Sequence, residues 1–436
     1  PPPPPRPALA AAGLVRALSD GSALRACASV PTPGSGGCSS GDFLVFASGV
    51  RAYVTAWRAW WSGGEGGGGR GSGSAGAGGG GGGGGEESAG AEERKGGGEE
   101  APPPRLHTAW LAASSAGVRS GKEARRANSR SSRAEAAPRA LHAAAFEIFA
   151  AEEEQGEEGE GTTKRKEGVV AVLVATSLGA VEAVAFDSRS GGFSDSEPVR
   201  LEFHEGPALC VSHLRAPGGD PFLKDGLAFS GSTDGGVAVW SGAEIARALL
   251  SDSSSPAPAS STVSPLAVLP ALHQSGVNCL AVATAAAAAS SSKRGSSSRS
   301  VLLVTGGDDG ALRATLLCVS SPSPSADGSR PVVSVAASAT LEGAHSACAL
   351  RGAWVGEIQG GGKTEAEVVT VGLDQRLRGW SVSIESDERE PSSLSVSLVA
   401  LWSVPVQVPA PESLAVLPEW GLVSVSGRGT QAFSWK

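Results

Sequence analysis

Apolar residues fall into short runs separated by polar, glycine-rich turns. The stretch 227–240, LAFSGSTDGGVAVW, sets a Ser-Gly-Ser-Thr-Asp-Gly-Gly patch between two apolar runs and ends on Trp240. Val237 and Val239 alternate with Ala238 and Trp240, so both faces are apolar, the pattern of a strand buried on both sides. Asp-Gly at 234–235 and again at 309–310 marks a reversing hairpin, because glycine accepts positive φ without steric cost. The pattern predicts two short strands joined by a tight turn.

The same pattern recurs along the chain. VVTVGLDQRLRGW puts Asp374 six residues before Trp380, as Asp234 stands six before Trp240. LLVTGGDDGALRATL carries Asp309, with Thr315 in the tryptophan place. VLVATSLGAVEAVAF fits with Ala180 and Phe186 in the aspartate and tryptophan places, and LVFASGVRAYVTAW with Arg51 and Trp57. LVSVSGRGTQAFSW, ending at Trp435, fits with one residue inserted. A further strand precedes the hairpin in ALCVSHL, VNCLAVA and CALRGAWV. Three strands and a connector per unit, repeated at 54 to 75 residues from Phe186 onward, predict an all-β fold: a partial β-propeller of about six blade-like units with long disordered insertions.

Composition sets the size of that propeller. The 62 glycines, 28 prolines and serine and alanine runs cluster in tracts that cannot pack, which leaves one ordinary domain. The expected division is a partial blade over 1–61, a Gly-rich linker over 62–104, and the propeller over 105–436 with inserts near 119–139, 151–166, 251–264 and 290–300. Deletion of 63–100 is expected to be nearly neutral, since loop-closure entropy grows slowly with length. The chain lacks methionine and opens on PPPPPRP, which suggests a fragment.

Charge and cysteine usage exclude several classes. A net charge of -8 gives no global basic field for nucleic acid. Arg119, Lys122, Arg125, Arg126, Arg130, Arg133 and Arg139 form a local basic stretch that could reach RNA phosphates. Without interleaved aromatics it carries no base readout, and a solvated insert is the favoured reading. Six cysteines lack any C-x-x-C pair and read as free thiols of a reducing, cytoplasmic compartment. No run of about twenty apolar residues offers a membrane span.

Serine, histidine and aspartate together raise the question of catalysis. In WD-type blades a histidine before the inner strand, a hydroxyl on the next strand, an aspartate in the turn and a tryptophan at the hairpin's end form one hydrogen-bonded chain. His204, Ser230, Asp234 and Trp240 fill the four places; His273, Thr305 and Asp309 fill three; His345, Thr370, Asp374 and Trp380 fill all four. Such a chain leaves no buried polar group without a partner. A serine hydrolase needs one exposed triad, whereas this set recurs, and the sequence has no G-x-S-x-G. GEIQGGGKT, 356–364, has one residue too many for a phosphate loop and runs into a strand instead of a helix. No catalytic, metal or cofactor residue is assigned, and no cofactor is expected.

Beyond the repeat, LEFHEGPALCVSHLRAP, FSGSTDGGVAVW, LPALHQSGVNCLAV, VTVGLDQRLRGW and SGRGTQAFSWK resemble, in that order, the C-terminal propeller of the WD-repeat protein six family, over roughly 167–436. The resemblance implies a non-catalytic partner of an S-adenosylmethionine-dependent tRNA 2'-O-ribose methyltransferase, positioning tRNA for methylation of the wobble nucleotide. It transfers no binding residue. The alternative from residues alone is a generic WD-repeat adaptor for protein degradation or trafficking.

Overall fold

A computed structural model describes residues 24–31, 42–49, 54–62, 105–114, 140–148, 168–215, 226–251, 262–285, 298–320, 330–346, 350–356, 358, 364–386, 394–417 and 421–434. These build six sheets, antiparallel but for one parallel pairing, that follow one another along the chain. The first joins β1 (Leu24–Pro31), β2 (Asp42–Gly49), β3 (Val54–Ser62) and β4 (Arg105–Ser114). The second joins β5 (Ala140–Glu147), β6 (Val169–Thr176) and β7 (Val181–Asp187), with the short β8 (Gly192–Phe193) and β9 (Val199–Leu201) both on β7.

The third sheet contains β10 (Ala208–Leu214), β11 (Leu227–Ser232) and β12 (Val237–Ser241). Helix α1 (Gly242–Leu250) follows, capped by the Ser241 hydroxyl on the Glu244 N–H. The chain then adds β13 (Thr262–Val263) parallel to β9 of the second sheet, and returns as β14 (Ala267–Leu269) on β12. Its route thus stitches two sheets together. The fourth sheet is β15 (Val277–Ala285), β16 (Ser298–Gly307), β17 (Leu312–Ser320) and β18 (Val332–Leu341). The fifth is β19 (Leu350–Val355), β20 (Thr364–Gly372), β21 (Arg376–Ser386) and β22 (Leu394–Pro405). The last is β23 (Ser413–Leu417), β24 (Leu422–Gly427) and β25 (Gly429–Ser434).

The first strand of each sheet packs on the first strand of the next, in the order β1, β5, β10, β15, β19, β23. Sheets arranged in this way are propeller blades, and their cores lie between neighbours. In VAVW, Ala238 and Trp240 enter the core shared with the second blade, while Val237 and Val239 enter the core shared with the fourth. Leu302 and Val304 face the fifth blade, and Val301 and Leu303 the third. The both-sides apolar pattern therefore reports a blade sandwiched between two others. Burying one such large apolar side chain contributes about 1.5–3 kcal/mol. Close packing explains Gly231: a Cβ there would stand 2.8 Å from the Cys210 sulfur and from Val277.

The structure departs from the sequence reading in five places. Most blades have a fourth, outer strand where three were expected. β4 pairs with β3, so 62–104 joins two strands of one blade instead of two domains. β13 and β16 take residues from the ends of the expected inserts at 251–264 and 290–300. The last hairpin closes over Arg428 alone, pairing Gly427 with Gly429, which leaves no turn place for an aspartate. In the second blade Ala175 pairs with Val181 as Gly231 pairs with Val237, so the aspartate place is Leu178 and the tryptophan place Val184, not Ala180 and Phe186. The inserts at 119–139 and 151–166 and the tract 63–100 lie outside the described residues.

Candidate functional site

The hairpin turns and the loops before the inner strands meet at one end of the blades. In the third blade His204 lies before β10, Ser230 on β11, Asp234 in the β11–β12 turn and Trp240 on β12. His204 Nδ1 lies 3.2 Å from Asp234 Oδ2 and its Nε2 2.9 Å from Ser230 Oγ, which accepts the Trp240 indole N–H at 3.0 Å. A carboxylate only accepts, so the neutral ring carries its proton on Nδ1 and takes the hydroxyl hydrogen on Nε2. Asp234 also accepts the N–H of Gly236 at 2.8 Å. Gly235 holds φ +78° beside the His273 carbonyl, where a side chain has neither the backbone region nor the room.

The fifth blade repeats the set with shorter links. His345 Nδ1 is 2.8 Å from Asp374 Oδ1, its Nε2 2.9 Å from Thr370 Oγ1, and the Trp380 N–H donates to Thr370 at 2.8 Å. In the fourth blade His273 Nδ1 reaches both Asp309 oxygens at 3.1 Å and its Nε2 reaches Thr305 at 2.9 Å. The chain stops there, because Thr315 replaces tryptophan. Its buried hydroxyl has no hydrogen-bond partner among the described residues.

The electrostatics follow from this wiring. Burial pulls the Asp374 carboxyl up. Hydrogen bonding and charge from His345, the Ser346 N–H and the Arg378 charge outweigh burial and hold it below the usual carboxylate range. Burial likewise works against Asp309, and the Ala311 N–H, His273 and the Gln274 N–H bring it below that range. His345 is pushed down by burial, against the opposing effect of Asp374.

Two arginines escaped the sequence reading. Arg378 donates to Asp374 and to the Ala344 carbonyl just before His345, and Arg313 donates at 3.1 Å to the Leu272 carbonyl just before His273. Each stands four residues after its aspartate, and that spacing was the available signal. Asn278, Asp308 and Arg351 also meet at this end: Asn278 donates to Asp308 at 2.7 Å and accepts from Arg351 at 3.3 Å.

Chemically, the three sets tie a turn to the loop of the inner strand. Ser230, Thr305 and Thr370 are fully buried, which leaves their oxygens out of reach of a substrate. Cys210 and Cys279 are buried free thiols, and burial pushes Cys279 up to about 12, far from a reactive thiolate. Among the described residues no three metal-ligating side chains gather, and no helix is long and apolar enough to cross a membrane.

Sheets stacked blade on blade, with a His–hydroxyl–Asp link recurring from turn to loop, decide the fold. The chain is a β-propeller whose third and fifth blades carry the full WD-type hydrogen-bonded set. No protein-family model and no curated protein matches it. Two solved structures are similar: the crystal structure of RRP9 WD40 repeats, at 11% identity and TM-score 0.34 over 93% of this chain and 88% of that one; and the structure of U3-55K, at 11% and 0.35 over 93% and 89%. Scores this low carry no weight, and the propeller assignment rests on the blades themselves.

Proposed function

We propose that the chain is a non-catalytic WD-repeat scaffold that partners an S-adenosylmethionine-dependent tRNA 2'-O-ribose methyltransferase and positions tRNA for methylation of the wobble nucleotide. The observation that carries the scaffold reading is that the recurrent Ser/Thr–His–Asp groups among the described residues are spent inside the blades, their hydroxyls buried and bonded on both sides in the third and fifth. What remains for function is surface, as in other repeat scaffolds. The tRNA reading is supported by the ordered phrases from LEFHEGPALCVSHLRAP to SGRGTQAFSWK that resemble the WD-repeat protein six family. A scaffold of this kind accelerates the reaction by orientation, without contributing a reacting group.

Purified chain, candidate methyltransferase and host tRNA, mixed with radiolabelled methyl donor, test the division of labour. The chain alone neither retains donor in equilibrium dialysis nor transfers methyl, and the pair modifies the wobble ribose. Donor binding by the isolated chain would overturn the non-catalytic reading. Full activity of the methyltransferase without the chain would favour the generic adaptor.

A further inference from the structure

The turn place that holds Asp234, Asp309 and Asp374 in three blades is taken in the second by Leu178, which is 65% exposed. Gly179 beside it rests on the next loop: a Cβ there would stand 2.8 Å from the carbonyls of His204 and Gly206. That loop presents Phe203, 41% exposed and braced edge-on against His204 with ring centroids 5.4 Å apart. Two large apolar side chains thus project from one hairpin-loop junction held by backbone contact. Glu202 and Glu205, on either side of Phe203 in the sequence, are exposed. Arg200 reaches Glu202 only at 3.6 Å, with both side chains well solvated, so screening leaves that carboxylate free to engage another cation.

Scattered exposed hydrophobes are ordinary on protein surfaces. Two exposed apolar side chains borne on one hairpin-loop junction, with carboxylates flanking Phe203 in the sequence, have a complement of definite chemistry: an apolar side chain to cover them, and cations to meet the carboxylates. We propose that Leu178, Glu202, Phe203 and Glu205 form a docking site for a short segment of a partner protein carrying one large apolar residue flanked by Lys or Arg. The chain's own basic stretch at 119–139 offers the charge, but its uncharged residues are only Gly, Ala, Ser, Asn and Pro, so it leaves the apolar half uncovered. The site rests on the scaffold reading only in requiring a protein partner, and its test involves no tRNA.

The probe is a random-peptide phage library panned on the purified full chain, with enriched peptides synthesised and titrated by fluorescence anisotropy. Enriched sequences carry Leu, Ile, Phe or Trp beside Lys or Arg, and their binding weakens as salt rises. Leu178→Ser and Glu205→Lys, both at exposed positions, keep the melting temperature of the parent and weaken binding about tenfold or more. Enrichment of acidic peptides, no enrichment, or equal binding to both variants would overturn the site. Binding that emerges only after deletion of 119–139 would assign the surface to the chain itself and equally refute a partner.

Discussion

Asp374 keeps 8% of its side chain exposed, Asp309 13% and Asp234 31%. Removing each carboxylate strands an imidazole and turn N–H groups, at a cost of about 1–3 kcal/mol that scales with how completely water is excluded. Alanine variants should therefore lose stability in the order Asp374, Asp309, Asp234 when unfolded in urea, and equal losses would contradict the wiring described. Thr305 and Thr315 make an internal control. Thr305→Val leaves His273 Nε2 without the hydroxyl that donates to it and costs about 1–3 kcal/mol, whereas Thr315→Val removes a hydroxyl that bonds to nothing described and should be neutral or stabilising. The His, hydroxyl and Asp positions of these three blades were legible because the spacing from aspartate to the tryptophan place is constant, even where Thr315 fills that place. Leu178 was not, because matching Phe186 to tryptophan slid the second blade by two residues, an error only strand pairing exposes.

Acid should unfold the protein partly through a histidine outside these sets. His142 sits at the β5 bulge that Cys210 and Cys279 occupy in β10 and β15, and its Nδ1 is buried without a partner among the described residues. Burial pushes its pKa down to about 4 from 6.5, against one hydrogen bond to the Val211 backbone. Below about 6.5 the unfolded chain binds a proton that the folded chain refuses, so stability is full above that pH and falls as pH drops toward 4. The loss from this group amounts to up to about 3 kcal/mol. Asp309 and Asp374, held below 3.8, contribute stability that is lost only further into acid. His142→Cys, copying the sister blades, should flatten the profile between pH 6.5 and 4, and an unchanged profile would contradict this assignment.

At the scale of elements, inner and hairpin strands announce themselves because both faces are apolar and a turn punctuates them. Outer strands do not. VVSVAASATL of β18 and LSVSLVALWSVP of β22 intersperse serine among their apolar residues and leave one or both faces partly exposed, so they lack the both-sides apolar pattern that marks the inner strands. Helix α1 was hidden likewise, being a single short element after a strand. Its place is secured from a distance: Arg330, just before β18, donates to both carboxylate oxygens of Glu244 at 2.6 and 2.7 Å and to the Ser264 carbonyl at 2.6 Å. The pair is partly solvated, so Arg330→Ala should cost about 1 kcal/mol or less. Its signature is local: amide exchange should quicken across 242–250 and 262–263 and stay unchanged in β11 and β16, and uniform acceleration would argue against a local clasp.

The described residues form a run of blades whose shared cores absorb the apolar residues of the inner and hairpin strands and whose recurrent polar residues close turns. On the proposed reading, function lies in what the blades present, and the chain serves as a targeting subunit for a separate enzyme. The most direct measurement is a nucleotide-resolution map of 2'-O-methylation on total tRNA from the native host after depletion of this protein. Selective loss at the wobble ribose, with other ribose methylations intact and restored on re-expression, is the predicted result. Unchanged wobble methylation in depleted cells would contradict it.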